Sequence, residues 1–386
     1  MEIEEPGRGF GTRCIHAGEA PDPTTGAHGV PLYQNVTYAF ETLEQVEAMR
    51  RGERPHFSYS PRGNPTVRCL ELKLADLEGA QTAVAFNSGM AAVSTTVLSL
   101  TERDGHVVAS NRVYEVTHRF MAEDLPASGA AVTFVDTGDL AAVRAAIRPE
   151  TRLIYAEPFS NPHLHVTDPR PLAAIAHQHG IPLVVDNTFL PPALLRPVEF
   201  GADLVIHSAT KYLAGHGLVQ AGVVSGPANL LTPIRERMLR LGTVMQPFAA
   251  WLLLAGIHTL PLRIERHSRN AYRLATLLAA DPAVESVHYP GLYSDPGHEV
   301  ASALVGSGDD RFGGMLSFSL AGGSASASRF INALDLATVA VSLGDVSTLV
   351  WPWPAGNLIR VSVGLEDFDD LAADFSRALT AAAGVG

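Results

Sequence analysis

Cysteine is scarce in this chain of 386 residues, which contains only Cys14 and Cys69. A framework of several disulfides is therefore excluded, and the scarcity favours a reducing compartment. The first ten residues are acidic and contain no apolar segment, so neither a signal peptide nor a membrane anchor is predicted there. Together these features predict a cytoplasmic protein.

Positive charge is also in deficit, with 28 Lys and Arg against 40 Asp and Glu and a formal net charge of −12. Such a chain offers no attraction to nucleic acid or to an anionic membrane, so neither partner is expected. His163 and His165 lie two residues apart, but no Cys or carboxylate cluster supports them, and we expect no metal. The hydrophobic content of 46% is enough for a large core, which favours an enzyme acting on a small molecule.

Short β-rich runs alternate with helical stretches along the first two thirds of the chain. The runs cover residues 82–86, 106–109, 131–135, 152–156, 182–186 and 203–207. This alternation predicts an α/β fold with a mostly parallel sheet and helices on both faces. We expect an extended arm at 1–57 that wraps a partner subunit, the α/β domain at 58–248, and a smaller C-terminal α+β domain at 249–386. The last should hold a long helix from about 248 to 278, strands at 284–288 and 314–320, and a helix from 366 onward.

Asp186 ends one apolar run, and Lys211 follows the next within a group of small hydroxyl residues. In such sheets ligands gather at the carboxyl ends of strands. A carboxylate there keeps the ring nitrogen of pyridoxal phosphate protonated, and a lysine amine carries the cofactor as a Schiff base. Ser208 and Thr210 are then placed to donate to its phosphate. Ser88, Gly89 and Met90 open a helix after the first run, and a helix N-terminus also binds phosphate.

An ordered set of motifs spans nearly the whole chain. It comprises Tyr59-Ser60, Asn64-Pro65-Thr66, Ser88-Gly89-Met90, Glu157 with Asn161-Pro162, Asp186-Asn187-Thr188-Phe189, Ser208-Ala209-Thr210-Lys211-Tyr212 and Arg360 with Ser362-Val363-Gly364. In these motifs the chain resembles the Cys/Met-metabolism family of pyridoxal phosphate enzymes, which have fold type I. That family includes methionine and cystathionine γ-lyases, cystathionine γ-synthases, cystathionine β-lyases and O-acetylhomoserine sulfhydrylases.

The resemblance implies a role for each matching position. Tyr114 would stack on the cofactor ring and move protons during elimination, and Asn161 would hydrogen-bond the ring oxygen. Arg360, helped by Ser342, would bind the substrate carboxylate. Tyr59 would reach the phosphate of the neighbouring subunit, in a homotetramer built from two dimers.

The chain departs from the family pattern at three places. Pro61 stands where the family usually has arginine, so Arg62 is the candidate for that phosphate contact. Glu115 and Val116 follow Tyr114 where glycine is usual. The loop at 348–357 is short, and its Trp351 and Trp353 either close an apolar pocket or pack on the surface.

The leading expectation is therefore a γ-lyase that converts a sulfur amino acid, such as methionine or cystathionine, to a 2-oxo acid, ammonia and a thiol. A γ-replacement synthase or sulfhydrylase acting on an acylated homoserine is the alternative. A third possibility from another class is a protein that binds the cofactor but has lost catalysis and serves as a scaffold or sensor.

Overall fold

The structure is a computed structural model that describes residues 7–53, 57–353 and 357–384. The start of the predicted arm at 1–6 and residues 354–356 of the short loop lie outside the described residues. The family resemblance of Arg360 and its neighbours, and all of the predicted site residues, fall within them.

A seven-stranded sheet forms the centre of the larger part of the chain. Its strands are β1 (Thr82–Phe86), β2 (His106–Ser110), β3 (Ala131–Val135), β4 (Thr151–Ala156), β5 (Leu183–Asp186), β6 (Leu204–His207) and β7 (Gly222–Gly226). Their spatial order is β1-β7-β6-β5-β4-β2-β3, and only β7 runs antiparallel to its neighbours. All six predicted strands are present, with ends within one residue of the expectation. β7 was not predicted, although it is buried throughout.

Helices cover both faces of this sheet. They are α3 (Pro65–Glu78), α4 (Gly89–Leu100), α5 (Glu115–Arg119), α6 (Leu125–Ala127), α7 (Leu140–Ala146), α8 (Pro169–Gln178) and α9 (Ala228–Leu241), with a π-helical turn at Phe120–Asp124 and a 3-10 turn at Pro197–Phe200. One apolar cluster joins α4 and α9 to the sheet, and a second joins α7 and α8 to it. Strand residues therefore face apolar partners on both sides, which explains their continuous hydrophobic runs. The predicted α/β fold is confirmed.

A second sheet of five strands follows. It contains β8 (Val284–His288), β9 (Met315–Leu320), β10 (Thr338–Val339), β11 (Leu349–Pro352) and β12 (Leu358–Ser362) in the order β10-β11-β12-β9-β8. Its helices are α10 (Pro247–His258), α11 (Leu260–Ala280), α12 (His298–Val305), α13 (Gly323–Ala333) and α14 (Phe368–Ala383). These elements agree with the predicted α+β character. The boundaries at 248 and 249 stay a prediction.

The single long helix predicted from about residue 248 is wrong. The structure has α10 and α11 instead, bent by 63° at Thr259. Pro261 lies in the first turn of α11, where its missing N–H is tolerated, but it cannot continue the hydrogen bonds of α10. In the described part of the chain no single helix is long and apolar enough to cross a membrane; α10 and α11 reach that length and apolarity only as a bent pair.

The arm is less extended than its composition suggested, because it holds α1 (Phe10–His16) and α2 (Leu43–Arg50). The buried Lys73 of α3 holds α1 in place. Its Nζ donates to the carbonyl oxygens of Cys14 and Ile15 at 2.6 and 3.1 Å and forms an ion pair with Glu19 at 2.9 Å. These bonds compensate the burial of the charge. The segment that holds α1 therefore packs on its own subunit.

Candidate active site

A cavity of about 530 Å³ lies at the carboxyl ends of the central strands and reaches the second sheet. Asp186 is the last residue of β5, and Ser208 directly follows β6. Eleven of the predicted site residues line the cavity: Ser88, Gly89, Met90, Tyr114, Asn161, Asp186, Ser208, Thr210, Lys211, Ser342 and Arg360. Residues as far apart in the chain as Ser88 and Arg360 thus meet where ligands of parallel sheets normally bind.

Tyr59 and Arg62 are the two predicted residues that this cavity does not include. Tyr59 is 46% exposed, and Arg62 lines a separate cavity of about 450 Å³. Within one subunit they are therefore apart from the other site residues. This placement suits a contact with a neighbouring subunit, which remains a prediction.

Lys211 presents its amine to the cavity. Its Nζ donates to the Ser342 hydroxyl at 2.7 Å. Burial, and next the nearby positive charge of Arg360, lower the pKa of Lys211, which increases its neutral, nucleophilic form. Ser342 has a φ of +88°, which is uncommon for a residue other than glycine. Such backbone strain is typical of functional sites.

Asp186 is held by three hydrogen bonds at the cavity wall. Thr188 donates to its Oδ1 from the backbone N at 3.1 Å and from Oγ1 at 2.6 Å, and the Tyr155 hydroxyl donates to Oδ2 at 3.2 Å. Burial raises the pKa of Asp186, whereas the hydrogen bonds from Thr188 and Tyr155 lower it. No Lys, Arg or His within the ranges described forms an ion pair with this carboxylate. The site therefore suits a cationic ring.

Tyr155 and Glu157 hold other residues of the site in place, and the sequence did not predict this role for either of them. Tyr155 lies within β4 and looks like a core aromatic in the sequence, which gives no sign of its bond to Asp186. The buried Glu157 accepts a hydrogen bond from the backbone N of Tyr114 at 2.7 Å. Burial first, and then the charge of Asp186, raise the pKa of Glu157. Glu157 thus fixes the start of the segment that carries Tyr114.

The N-terminus of α4 forms one side of the cavity. The Ser88 hydroxyl caps this helix by accepting from the backbone N of Ala91 at 3.1 Å. A Cβ at Gly89 would lie 2.7 Å from both Cβ and Oγ of Ser208, so only glycine fits this approach. The hydroxyl of Thr210 exchanges hydrogen bonds with the backbone of Ala221, at 3.0 and 3.2 Å. Gly89 thus lets the helix end lie against Ser208 of the lysine segment, and a helix N-terminus at this position suits an anion.

Arg360 lies in β12 and is only 7% exposed. Its Nη1 donates to Asn161 Oδ1 at 3.3 Å and its Nη2 to the Ser342 carbonyl at 3.0 Å, while its Nε is buried without a partner among the described residues. No carboxylate of the described part of the chain pairs with it. A buried guanidinium with spare donors suits a carboxylate ligand.

The rim of the cavity includes the positions that depart from the family pattern. Tyr114 is 45% exposed there, and Glu115, the first residue of α5, is exposed next to it. Trp351 and Trp353 both line the cavity. Of the two alternatives for these rings, the structure therefore favours the pocket over the surface.

A sequence model of the family described as Cys/Met metabolism PLP-dependent enzymes matches residues 11–380. The chain belongs to this family. L-methionine gamma-lyase from Pseudomonas putida is 43% identical over 97% of this chain and 98% of its own length. O-succinylhomoserine sulfhydrylase from Pseudomonas aeruginosa is 39% identical, over 99% and 98%. The crystal structure of metB from Corynebacterium glutamicum superposes with a TM-score of 0.91 and 36% identity, and the match covers 97% of this chain and 98% of that one.

The cofactor of the family, pyridoxal phosphate, fits the residues of this cavity. A half-buried carboxylate without an ion-pair partner, an amine of lowered pKa and a glycine-lined helix N-terminus are the three groups that its ring, aldehyde and phosphate need. Membership of the PLP-dependent family confirms the predicted cofactor, and the cavity residues fit it. No group of three or more His, Cys, Asp and Glu side chains in the described ranges is arranged to hold a metal ion.

Proposed function

We propose that this enzyme catalyses γ-elimination on a sulfur amino acid such as methionine or cystathionine, releasing a 2-oxo acid, ammonia and a thiol. The observation that carries the proposal is the shared position of Ser342. Its hydroxyl accepts from Lys211 while its carbonyl accepts from Arg360. An amino acid whose carboxylate is bound by Arg360 thus brings its α-carbon to the lysine amine. The similarity to L-methionine gamma-lyase supports this choice of reaction.

We propose that the cofactor is held by the residues that line the cavity. Lys211 would attach it covalently, Asp186 would face its ring nitrogen, and Tyr114 and Asn161 would contact the ring and its oxygen. The phosphate would bind to Ser88, Gly89, Met90, Ser208 and Thr210. When bound, pyridoxal phosphate supplies an electron sink for the charge that forms at the substrate α-carbon.

The protein groups provide orientation and proton transfer. Arg360 fixes the substrate carboxylate with its spare donors, which orients the α-hydrogen toward Lys211. Once the substrate amine has displaced it from the cofactor, the free neutral amine of Lys211 would take that proton, a step that its lowered pKa favours. Tyr114, at the open rim, donates a proton to the departing thiolate. The hydrogen bonds that Thr188 and Tyr155 donate to Asp186 favour its ionised form and oppose the rise in its pKa that burial causes.

A γ-replacement reaction is the second candidate, favoured by the similarity to O-succinylhomoserine sulfhydrylase. It uses the same groups up to the loss of the γ-substituent and differs in what adds next. If a thiol adds, a thioether forms; if water completes the reaction, a 2-oxo acid and ammonia leave. The choice depends on access of the thiol to the cavity.

We further propose a cytoplasmic homotetramer built as two dimers. Two exposed residues outside the cavity support a shared site, because Tyr59 and Arg62 have no role in their own subunit's cavity. In such a dimer both would contact the phosphate of the neighbouring subunit.

The test is an assay of the purified holoenzyme with methionine, cystathionine and an O-acylhomoserine, each with and without added thiol. We expect 2-oxobutyrate from a sulfur amino acid without thiol, and its loss by more than about a thousandfold in Lys211→Ala. Thioether formation with little 2-oxobutyrate would establish the replacement reaction instead. A wild-type protein that shows the cofactor absorbance but converts none of these substrates would support the scaffold hypothesis.

A further inference from the structure

The cavity wall contains few charges beyond those already assigned. Its charged residues, within the described ranges, are Glu115, Glu157, Asp186, Lys211 and Arg360. Both cations have assigned ligands, because Lys211 serves the cofactor and Arg360 the substrate carboxylate. Glu157 and Asp186 are held by hydrogen bonds from Tyr114 and Thr188. Glu115 alone among the five is exposed, and its carboxylate makes no hydrogen bond or ion pair with another described residue.

Two indole rings lie beside Arg360, the residue assigned to the substrate carboxylate. Trp351 of β11 is directly opposite Arg360 of β12 in the antiparallel register, so the two side chains are on one face of the sheet. Trp353, two residues further, projects to the same face. The Arg360 guanidinium carbon lies 5.7 Å from the Trp353 ring centroid, within the range of a cation–π contact. The two tryptophans therefore limit the access of water to the Arg360 guanidinium and give the cavity an apolar wall.

A bound amino acid leaves its γ-substituent to the remainder of this cavity. With the carboxylate at Arg360 and the α-carbon at Lys211, the lining that remains available to the substituent and the cofactor is largely apolar: the two indoles, Val113, Phe159, Phe189, Val341 and Leu343. This wall receives an alkyl thioether well. A second carboxylate on the substituent would find no free cation among the described lining residues, and it would meet the negative charge of Glu115.

We propose that this enzyme selects amino acids with an uncharged, apolar γ-substituent, and that Glu115 disfavours substrates with a carboxylate at the distal end of that substituent. The inference rests on the proposed γ-elimination and adds the substrate class to it. Specificity of this kind needs a repulsive group as well as an attractive wall. Glu115 is such a group, because like charges repel most where nearby apolar surface limits the access of water.

The test compares two thioethers with the holoenzyme: S-propyl-L-homocysteine, which ends in a methyl group, and S-(2-carboxyethyl)-L-homocysteine, which has a carboxylate in its place. We expect the wild type to prefer the neutral thioether in kcat/KM, and Glu115→Gln to reduce that preference about five- to tenfold. Glu115→Asp keeps the charge and should keep most of the preference. Added salt should weaken the preference in the wild type but not in Glu115→Gln.

Two results would overturn the proposal, and they are distinguishable. If Glu115→Gln changes kcat/KM for both thioethers by the same factor, Glu115 acts only on α5 or on folding, and the charge selection is wrong while the γ-elimination stands. Thermal unfolding of each variant identifies that case, since Glu115 lies in the first turn of α5 where a carboxylate also favours the helix. If the wild type releases a 2-oxo acid from neither thioether nor from methionine, the proposed function itself fails.

Discussion

At the scale of single residues, the charge of Asp186 depends most directly on Thr188. The Thr188 hydroxyl donates to Asp186 Oδ1 at 2.6 Å and accepts from the backbone N of Ser208 at 2.8 Å. One side chain therefore links the end of β5 to the segment that carries Lys211. Burial raises the pKa of Asp186, and the Thr188 hydroxyl is the first of the groups that oppose this shift.

We predict that Thr188→Val weakens the hold on the cofactor in acid. Loss of the hydroxyl removes a bond that favours the ionised carboxylate, so the pKa of Asp186 rises and the aspartate becomes neutral at a higher pH. The cofactor absorbance should then be lost from the protein at a higher pH than in the wild type. Acid titration followed by gel filtration and absorbance measures this. Thr188→Ser keeps the hydroxyl and should lose the cofactor at the same pH as the wild type. If Thr188→Val also loses it at the wild-type pH, Thr188 does not influence the pKa of Asp186.

Which residues form the site was largely predictable from the sequence, whereas the hydrogen bonds between them and other residues were not. Asp186 and Lys211 follow apolar runs, and that position alone predicts the same edge of a sheet. The bond from Tyr155 to Asp186 was beyond such reasoning, because a tyrosine inside a buried strand has the pattern of a core residue. The buried hydrogen bond between His207 and Glu78 is a similar case, since 129 residues separate the two in the chain.

At the scale of elements, periodicity predicted six strands of the seven-stranded sheet and missed β7, which runs antiparallel to its neighbours. β7 has glycine at both ends, and its five residues follow a glycine-rich segment that resembles a loop. Its Gly222 is needed because a Cβ there would lie 2.1 Å from the Ser88 carbonyl oxygen. The bend between α10 and α11 was missed because apolar residues continue through it.

His106 ties three strands together and makes their stability depend on pH. Its ring nitrogens pair with Thr151 of β4 and Thr133 of β3, each at 2.9 Å. Burial lowers the pKa of His106 to about 4. The unfolded chain, with a pKa near 6.5, binds more protons than the folded one between these values, so the free energy of unfolding falls as the pH decreases from about 6.5 to 4.

We predict that His106→Gln removes part of this pH dependence. His267, whose pKa burial also lowers to about 4, should supply much of the rest. Each histidine contributes a loss of about 1–3 kcal/mol across the range in the wild type. Urea unfolding at several pH values should give a flatter pH dependence for the variant, whatever its stability at neutral pH. Parallel curves for the two proteins would mean that His106 is not buried in its neutral form.

At the scale of the whole molecule, the cavity of one chain lacks two of the residues assigned to its cofactor. Tyr59 is exposed outside this cavity, and Arg62 lines a different cavity together with Arg68 and Arg235. Pro61, in place of the usual arginine, makes Arg62 the only candidate at that position of the motif. If the site is shared, each one contains Lys211 of one subunit and Arg62 of the other. Variants of the two residues should then complement each other.

We predict that mixing subunits restores activity that neither variant has alone. Arg62→Ala should lose cofactor affinity, and Lys211→Ala should lose catalysis. In a mixed dimer, one site lacks both residues while the other has both. Random exchange of equal amounts therefore gives about a quarter of the wild-type number of sites, since half of the dimers are mixed and each has one intact site of two. The measurement is 2-oxobutyrate release after the two variants are unfolded and refolded together.

The same mixture distinguishes two arrangements: one in which Arg62 acts in the site of the neighbouring subunit, and one in which it acts in the site of its own subunit. In that second arrangement the mixed dimer has one site without Lys211 and one without Arg62, so refolding together restores nothing. Arg68→Ala is the matched control, because Arg68 lines the same cavity as Arg62 but is outside the phosphate motif. Arg68→Ala should keep its cofactor affinity when it is measured without a second variant. A loss as large as that of Arg62→Ala would mean that the whole positive cluster holds the phosphate, which would place the contact across the dimer on more than one arginine.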